Sequence, residues 1–316
     1  DDETLARCVA LAHARGVRVY VTLNTLLYAP ELAAATDYAA RLFRMGADAV
    51  IVADVGLADH LHRHLPGLEL HASTQLSLHS TAGAEEVADL GFTQVVAARE
   101  LPQKEIERLV AGAPETVEIF LHGALCVSHS GQCLFSSQVG GRSGNRGACA
   151  QPCRLPYNGG KYLLSLKDLS LAGHIPELIA SGVSTLKIEG RMKSADYVGR
   201  VTAIYRRLLD EGRNATPGEM RELERVFSRS GFTADYWQGR HGPAMFGTRH
   251  ENTPEPKELF AAARAKYEKD DARTVPIHFS CSCQAGQPVS LTVWDDDGHV
   301  AAAEGPIPEP AQNKAL

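Results

Sequence analysis

The sequence predicts an α/β fold: a TIM-like (β/α)8 barrel, N-terminally truncated, followed by the start of a small β-rich domain. Three observations predict it. Over the first two hundred residues, short β-branched runs alternate with amphipathic helical stretches, the pattern of a parallel sheet built from βα units. Polar and ionisable residues recur at the C-terminal ends of those runs, where barrel active sites are assembled. After Asn214 the period changes, and the last forty residues alternate as antiparallel strands do.

In order, a helix from Thr4 to Arg15 leads into a strand from Val17 to Leu23, and a helix from Pro30 to Met45 into a strand from Ala49 to Asp54. Helix Leu57 to Leu65, strand Glu69 to Ser73, helix Ala84 to Leu90, strand Gln94 to Ala97, helix Gln103 to Ala111 and strand Val117 to Leu121 continue the alternation. Beyond a long irregular loop come strand Tyr162 to Leu166, helix Ile175 to Ala180, strand Thr185 to Ile188 and helix Ser194 to Glu211. That makes seven strands. A closed barrel takes eight, so at least one βα unit is expected upstream of Asp1. On that count the chain as given is expected to be inactive and prone to associate through its open sheet edge.

The expected boundaries are a barrel domain over 1–212 carrying a cysteine loop at 122–156, a helical and linker segment over 213–274, and the beginning of a β-rich domain over 275–316. Within the second segment, Pro217 to Phe227 and Lys257 to Lys269 read as helices. In the third, Val275 to Cys281, Val289 to Trp294 and His299 to Ala303 read as strands, with Cys281 and Cys283 structural and sharing a face. Cys8 reads as a core residue.

A chain of 316 residues with 44% hydrophobic and 22% charged residues has the composition of an ordinary globular protein. No apolar run approaches the roughly 18 residues of a membrane span. Asp1-Asp2-Glu3 lacks the basic and apolar regions of a secretory signal, and a cytoplasmic location is expected. The net charge of −6 argues against nucleic acid, but residues 142–213 carry 12 Lys and Arg against 6 Asp and Glu. A basic stretch directly after the cysteine loop suits an RNA-facing surface, or a solvated helix face.

The stretch from Glu118 to Pro156, which runs from within the expected strand Val117 to Leu121 through the loop, holds four of the seven cysteines, Cys126, Cys133, Cys149 and Cys153, in a Gly- and Ser-rich segment without helical or strand period. An irregular loop of this length inside a compact domain needs an anchor and usually has a function. Four soft thiolates on one centre supply both. Disulfides fit poorly with a chain that otherwise does not look secreted. Structural zinc stays open, although Cys126 and Cys133 are too far apart for a zinc knuckle. An iron-sulfur cluster matches the donor set best.

These residues also carry a resemblance. Glu118-Ile119-Phe120, Gly123-Ala124-Leu125-Cys126, Gly131, Cys133 and Ser136 resemble the signature of peptidase family U32, the collagenase-like proteins, with Phe135 where an aliphatic residue is usual. Asn24-Thr25-Leu26, His71-Ala72-Ser73-Thr74-Gln75, Lys167-Asp168-Leu169 and Lys187-Ile188-Glu189-Gly190-Arg191 resemble further family blocks. The resemblance spans about Gly16 to Gly247. It implies a barrel, a four-cysteine [4Fe-4S] cluster with zinc as the alternative, and oxygen-independent hydroxylation of RNA bases or of a quinone precursor. Within it the favoured activity is 5-hydroxylation of a pyrimidine in rRNA or tRNA, with prephenate as the implied small carboxylate co-substrate, and the post-barrel Ser230-Gly231-Phe232-Thr233 and Met245-Phe246-Gly247 tilt this toward the rRNA cytidine type. A collagenase-like peptidase and a non-catalytic, cluster-bearing RNA-binding subunit are the competing classes.

Asn24, Asp54, His71, Arg99, Glu100, His122, Asp168, Glu189 and Arg191 all end or follow an expected strand. From these, His71, His122, Asp168 and Glu189 are the expected catalytic residues. Asn24, Gln75, Arg99, Arg146, Lys187 and Arg191 are the expected substrate-binding set, with the cations meeting carboxylate or phosphate. A cysteine-protease reading pairs Cys126 with His122 or His129 but leaves three cysteines without a role. No H-E-x-x-H, G-x-S-x-G or P-loop occurs, no G-x-G-x-x-G follows a strand, and His60, His62 and His64 read as a solvated helix face.

Overall fold

The computed structural model describes residues 1–248, 257–267, 276–296 and 298–309. The stretches of the expected linker, strands and tail at 249–256, 268–275, 297 and 310–316 lie outside the described residues. The chain divides into two compact units, one of residues 19–268 and one of residues 1–18 with 269–316. The latter opens with helix α1 (Asp2–His13), whose first turn is capped by the Asp1 carboxylate accepting from the Thr4 N–H at 2.8 Å. Cys8 is exposed on this helix, contrary to the core position expected from its sequence; the buried residue of α1 is Val9.

The unit of residues 19–268 follows the predicted alternation: β1 (Tyr20–Leu23), α2 (Leu32–Arg44), β2 (Ala49–Val52), α3 (Val55–His64), β3 (Glu69–Ala72), α4 (Thr81–Ala88), β4 (Phe92–Val96), α5 (Gln103–Gly112) and β5 (Thr116–Gly123). Next come α6 (Phe135–Gly140) within the cysteine loop, β6 (Asp168–Ser170), α7 (Ile175–Ala180), β7 (Thr185–Ile188), α8 (Ala195–Glu211), α9 (Pro217–Val226), β8 (Phe232–Thr233) and α10 (Lys257–Tyr267). The helices start where side chains can satisfy free backbone donors. Asp54 accepts from Leu57, Ser80 from Gly83, Ser194 from Tyr197, and Thr216 with Glu219 forms a capping box behind Pro217.

The parallel strands run in the order β1-β2-β3-β4-β5-β7. All four residues of β2 are buried, as a strand covered on both faces requires. The arc has the strand sequence of a barrel wall, and among the described residues no pairing joins β7 back to β1.

One expected strand is displaced. Tyr162 to Leu166 does not join the parallel set. The Leu166 carbonyl accepts from the Arg154 guanidinium, Gly247 donates to the Ser165 carbonyl, and the adjoining Lys167 donates to Met245, so the end of this stretch is tied to Arg154 and to residues 245–247. The strand forms instead at β6, antiparallel to the end of β5 (His122↔Ser170, Gly123↔Leu169) and parallel to β8. Among the described residues the parallel arc therefore has six strands where seven were expected.

The segment after α8 stays on this unit: Gln103 donates to the Trp237 carbonyl at 2.9 Å, and Arg264 of α10 pairs with Asp196 of α8 at 2.7 Å. In the other unit, β9 (Ile277–Ser282), β10 (Ser290–Asp295) and β11 (Val300–Glu304) form an antiparallel sheet in the order β11-β10-β9.

Candidate metal centre and active site

Past the last residue of β5 the chain must turn sharply. Gly123 does so at φ +110° with its Cα against the Glu189 carbonyl, where a Cβ would stand 2.6 Å from that oxygen. The loop that follows is held by its own short elements. Ser136 at the start of α6 accepts from the Ala150 N–H at 2.9 Å, Phe135 stacks on Tyr157, and the Tyr157 hydroxyl donates to the Pro152 carbonyl at 2.8 Å. Arg154 is the central clamp. It is 5% exposed, and its guanidinium donates to the carbonyls of Leu125 and Leu166 and to the Ser165 hydroxyl, tying both ends of the loop together. A second anchor joins the loop to the turn after β3. The Ser77 hydroxyl donates to the Ser130 carbonyl, and Gly131 packs directly on the Gln75 backbone.

This folding brings Cys126, Cys133, Cys149 and Cys153 to line a single pocket, together with Gln75, Arg99, His129, Phe135 and the Gly144–Asn145 backbone. Its volume is about 210 Å3, several times the ~30 Å3 that a water molecule occupies in the liquid. The thiols sense one another. Burial pushes the Cys153 thiol up, the other three cysteines push in the same direction, and the Arg154 charge opposes them. The Gln151 N–H reaches the Cys149 sulfur at 3.3 Å. Among the described residues, no three of these sulfurs lie within 4.8 Å of one another.

Of the expected substrate-binding residues, Gln75 and Arg99 line this pocket, with the Arg99 guanidinium stacked 4.9 Å from the centre of the Phe120 ring. Arg191 is exposed and donates to the Gly147 carbonyl on the loop at 3.4 Å. The other cations are engaged. Lys187 pairs with Glu118 at 2.6 Å, inside a network in which Gln94 donates to the second Glu118 oxygen at 2.7 Å. Arg146 forks onto Glu31 and lies over Tyr28, and Asn24 donates to Ser73 at 3.3 Å.

The expected catalytic residues are not gathered in the pocket. His122 is 1% exposed; its Nδ1 meets the Tyr205 hydroxyl at 3.1 Å, its Nε2 is buried without a partner, and burial pushes the imidazole down to about 4. His71 is buried edge-on to Tyr20, and burial again pushes it down, with Glu69 opposing. Asp168 is fully buried and paired with Arg229 at 2.6 Å. Glu189 accepts from the Arg191 N–H at 2.9 Å. A neutral core histidine and a rim histidine look alike in sequence, because both follow a strand.

Sequence reasoning missed three features of the site. Arg154 had a signal, being the charged residue directly after Cys153 in a loop of small residues. Lys193 lies against the rings of Tyr197 and Phe227, and burial followed by the nearby Arg229 charge pushes its amine down to about 8. Ser130 fixes Glu100: its hydroxyl donates to one carboxylate oxygen at 2.9 Å and its N–H to the other at 3.1 Å. Burial alone would push the Glu100 carboxyl up, but the hydrogen bonds from Ser130 and His79 outweigh it and hold the group below the usual carboxylate range.

Comparison with known proteins places these features among relatives. The profile described as "Peptidase family U32" matches residues 1–246. The chain is 44% identical to the 23S rRNA 5-hydroxycytidine C2501 synthase of Escherichia coli, over 65% of this chain and 33% of that protein. It is 30% identical to tRNA hydroxylation protein P1 of Bacillus subtilis, over 96% of this chain and 80% of that protein. A collagenase of Porphyromonas gingivalis is 32% identical over 75% of this chain and 64% of its own length. The chain thus spans about a third of the first relative and four-fifths of the second.

Proposed function

This chain belongs to peptidase family U32, and on that premise we propose that it is an RNA-modifying enzyme that hydroxylates the 5-carbon of a pyrimidine in rRNA or tRNA without molecular oxygen. The observation that carries the reading is the convergence of Cys126, Cys133, Cys149 and Cys153 on one pocket. The donor set fits a [4Fe-4S] cluster. A set of four thiolates suits an iron-sulfur cluster or zinc, and the wide Cys126–Cys133 spacing lacks the knuckle usual in zinc sites and favours the cluster. When bound, the cluster would supply electron transfer or a binding site for an oxygen-bearing group. The chain's own residues do the rest: Arg154 holds the two ends of the loop, the Gln151 N–H meets a cluster-ligating sulfur, and Arg99 and Gln75 present a cation and an amide to whatever enters. Arg99 suits a small carboxylate such as prephenate, the co-substrate the family implies.

RNA would approach over the loop. Most of the basic excess of 142–213 is met by ion pairs, with Glu31, Glu118, Glu219 and Glu222 outside the segment and Asp210 within it. Arg142, Lys161 and Arg191 remain exposed on or beside the loop, which suits a few phosphate contacts. The parallel arc is read as part of a (β/α)8 barrel, with the cysteine pocket at the C-terminal ends of its strands. The chain is read as cytoplasmic, and no helix among the described residues is long and apolar enough to cross a membrane.

In its thiol-dependent form, the collagenase-like alternative needs a Cys126–histidine dyad. His122 is turned to Tyr205 in the core, and His129 directs its Nδ1 to Glu100. Mass spectrometry of rRNA and tRNA nucleosides from cells lacking the gene tests the proposal. A 5-hydroxypyrimidine should disappear on deletion, return with the wild-type gene and stay absent with Cys126→Ala. Unchanged hydroxylation in the deletion strain would remove the hydroxylase reading, and rescue by the variant would remove the cluster from it.

A further inference from the structure

Beside the cysteine pocket stands a second convergence of ligand-type side chains, each from a different loop. His79 follows the turn after β3, Glu100 follows β4, and His129 lies on the cysteine loop and lines the pocket. One nitrogen of each imidazole and one Glu100 oxygen lie mutually within 4.8 Å. His79 Nε2 and His129 Nδ1 both approach the same oxygen, Oε1, at 3.1 Å each. The Ser130 N–H also points at Oε1, at 3.1 Å, while the Ser130 hydroxyl occupies Oε2 at 2.9 Å and is itself oriented by the Arg99 N–H at 3.2 Å.

Hydrogen bonding alone accounts for this poorly. If both imidazole nitrogens carry protons, three N–H donors crowd one carboxylate oxygen, more than its two lone pairs accommodate. If one of them does not, its nitrogen lone pair faces the same oxygen, and if neither does, two nitrogen lone pairs face it. A cation among the three atoms turns that repulsion into three bonds. The carboxylate is the fixed member, its side chain 13% exposed and held by Ser130, while the rings are 41% and 76% exposed and free to adjust. Outer-sphere hydrogen bonds that orient a ligating carboxylate are the usual support of a metal site. The exposed side leaves coordination positions open.

We propose that His79, Glu100 and His129 form a binding site for a first-row divalent metal ion, distinct from the four thiols. Two imidazoles and one carboxylate select ions such as Fe(II), Co(II) or Zn(II) over Mg2+ and Ca2+, which favour all-oxygen sets. Because His129 also lines the pocket, the ion sits at its edge, where its open positions can take an oxygen ligand from a molecule bound there.

Anaerobic titration of the chain with Co(II), followed optically, tests the site. Cobalt on nitrogen and oxygen gives visible ligand-field bands without the near-ultraviolet sulfur-to-cobalt charge-transfer band that thiolate ligation produces. One equivalent should bind in this way, be displaced by Zn(II), and bind at least about tenfold more weakly in His79→Ala and in His129→Ala, since loss of a direct ligand should cost no less than loss of an outer-sphere one. Both histidines are exposed, so the variants should keep the wild-type circular dichroism. Cobalt binding undiminished in both variants, or binding that shows only the thiolate band, would overturn the proposal.

Discussion

Replacing Gly131 by alanine should open the cysteine loop from the turn after β3. Gly131 has φ +74°, and a Cβ built on it would lie 2.0 Å from the Gln75 carbonyl oxygen, 2.7 Å from its carbon and 2.8 Å from its Cα. All three are backbone atoms and cannot swing aside. An ordinary carbon-to-oxygen approach is about 3.3 Å, so the two segments must separate by more than about 1 Å. The left-handed backbone adds about 1–2 kcal/mol for an L residue, and overpacking a fitted contact about 1–3 kcal/mol, for a total of about 2–5 kcal/mol. Gly141 provides the control. It has φ +67° and nothing within 4 Å, so Gly141→Ala should lose only the backbone term. Denaturation followed by Trp237 fluorescence in a Trp294→Phe background reads the unit of residues 19–268 alone. Because Gln75, Gly131 and Cys133 line one pocket, Gly131→Ala should also lower the iron retained after anaerobic isolation, and Gly141→Ala should not. Equal stability and equal iron in the two variants would refute the anchoring of the loop.

Arg154→Met should cost about 2–4 kcal/mol by leaving the carbonyls of Leu125 and Leu166 and the Ser165 hydroxyl without their donor; a denaturation shift below about 0.5 kcal/mol would show that the clamp is dispensable. His122 is held down to about 4 by burial. Below its ordinary value of 6.5 the unfolded chain therefore binds a proton that the folded chain refuses, and stability falls as pH drops through that window, by about 3 kcal/mol across its full width. His122→Phe should flatten this part of the stability-against-pH curve while leaving the Ser170–Tyr205 hydrogen bond in place, and an unchanged slope between pH 7 and pH 4.5 would contradict the assignment. Asp168→Asn should destabilise by roughly 3 kcal/mol by stranding the Arg229 charge, and adding Arg229→Met should recover most of the loss; a fully additive double mutant would count against the pair.

The alternation of helices and strands was legible because it rests on local period. Every parallel strand of the arc formed within a few residues of its expected position, and the four cysteines singled out in the sequence line one pocket. What the sequence did not disclose lies in long-range choices. Tyr162 to Leu166 has strand composition, yet the carbonyls at its end are taken by Arg154 and by Gly247, partners that no local pattern reveals. Lys187 and Arg146 looked like free cations until the fold set Glu118 and Glu31 against them. His122 and Asp168 follow expected strands as rim residues do, but they point to Tyr205 and to Arg229, 83 and 61 residues away. Gln75 and Arg99, by contrast, sit on the turns that face the loop, and the structure brings them to the cysteines.

The central claim is that four cysteines of one loop hold an iron-sulfur cluster. The most direct test is the iron, zinc and acid-labile sulfide content of the chain isolated without oxygen, because inorganic sulfide comes from a cluster and not from a single ion. The account predicts a brown protein with about four sulfides and at least about four irons per chain, with the sulfide lost in Cys126→Ala. One zinc per chain bound to the thiols, with no sulfide, would contradict it.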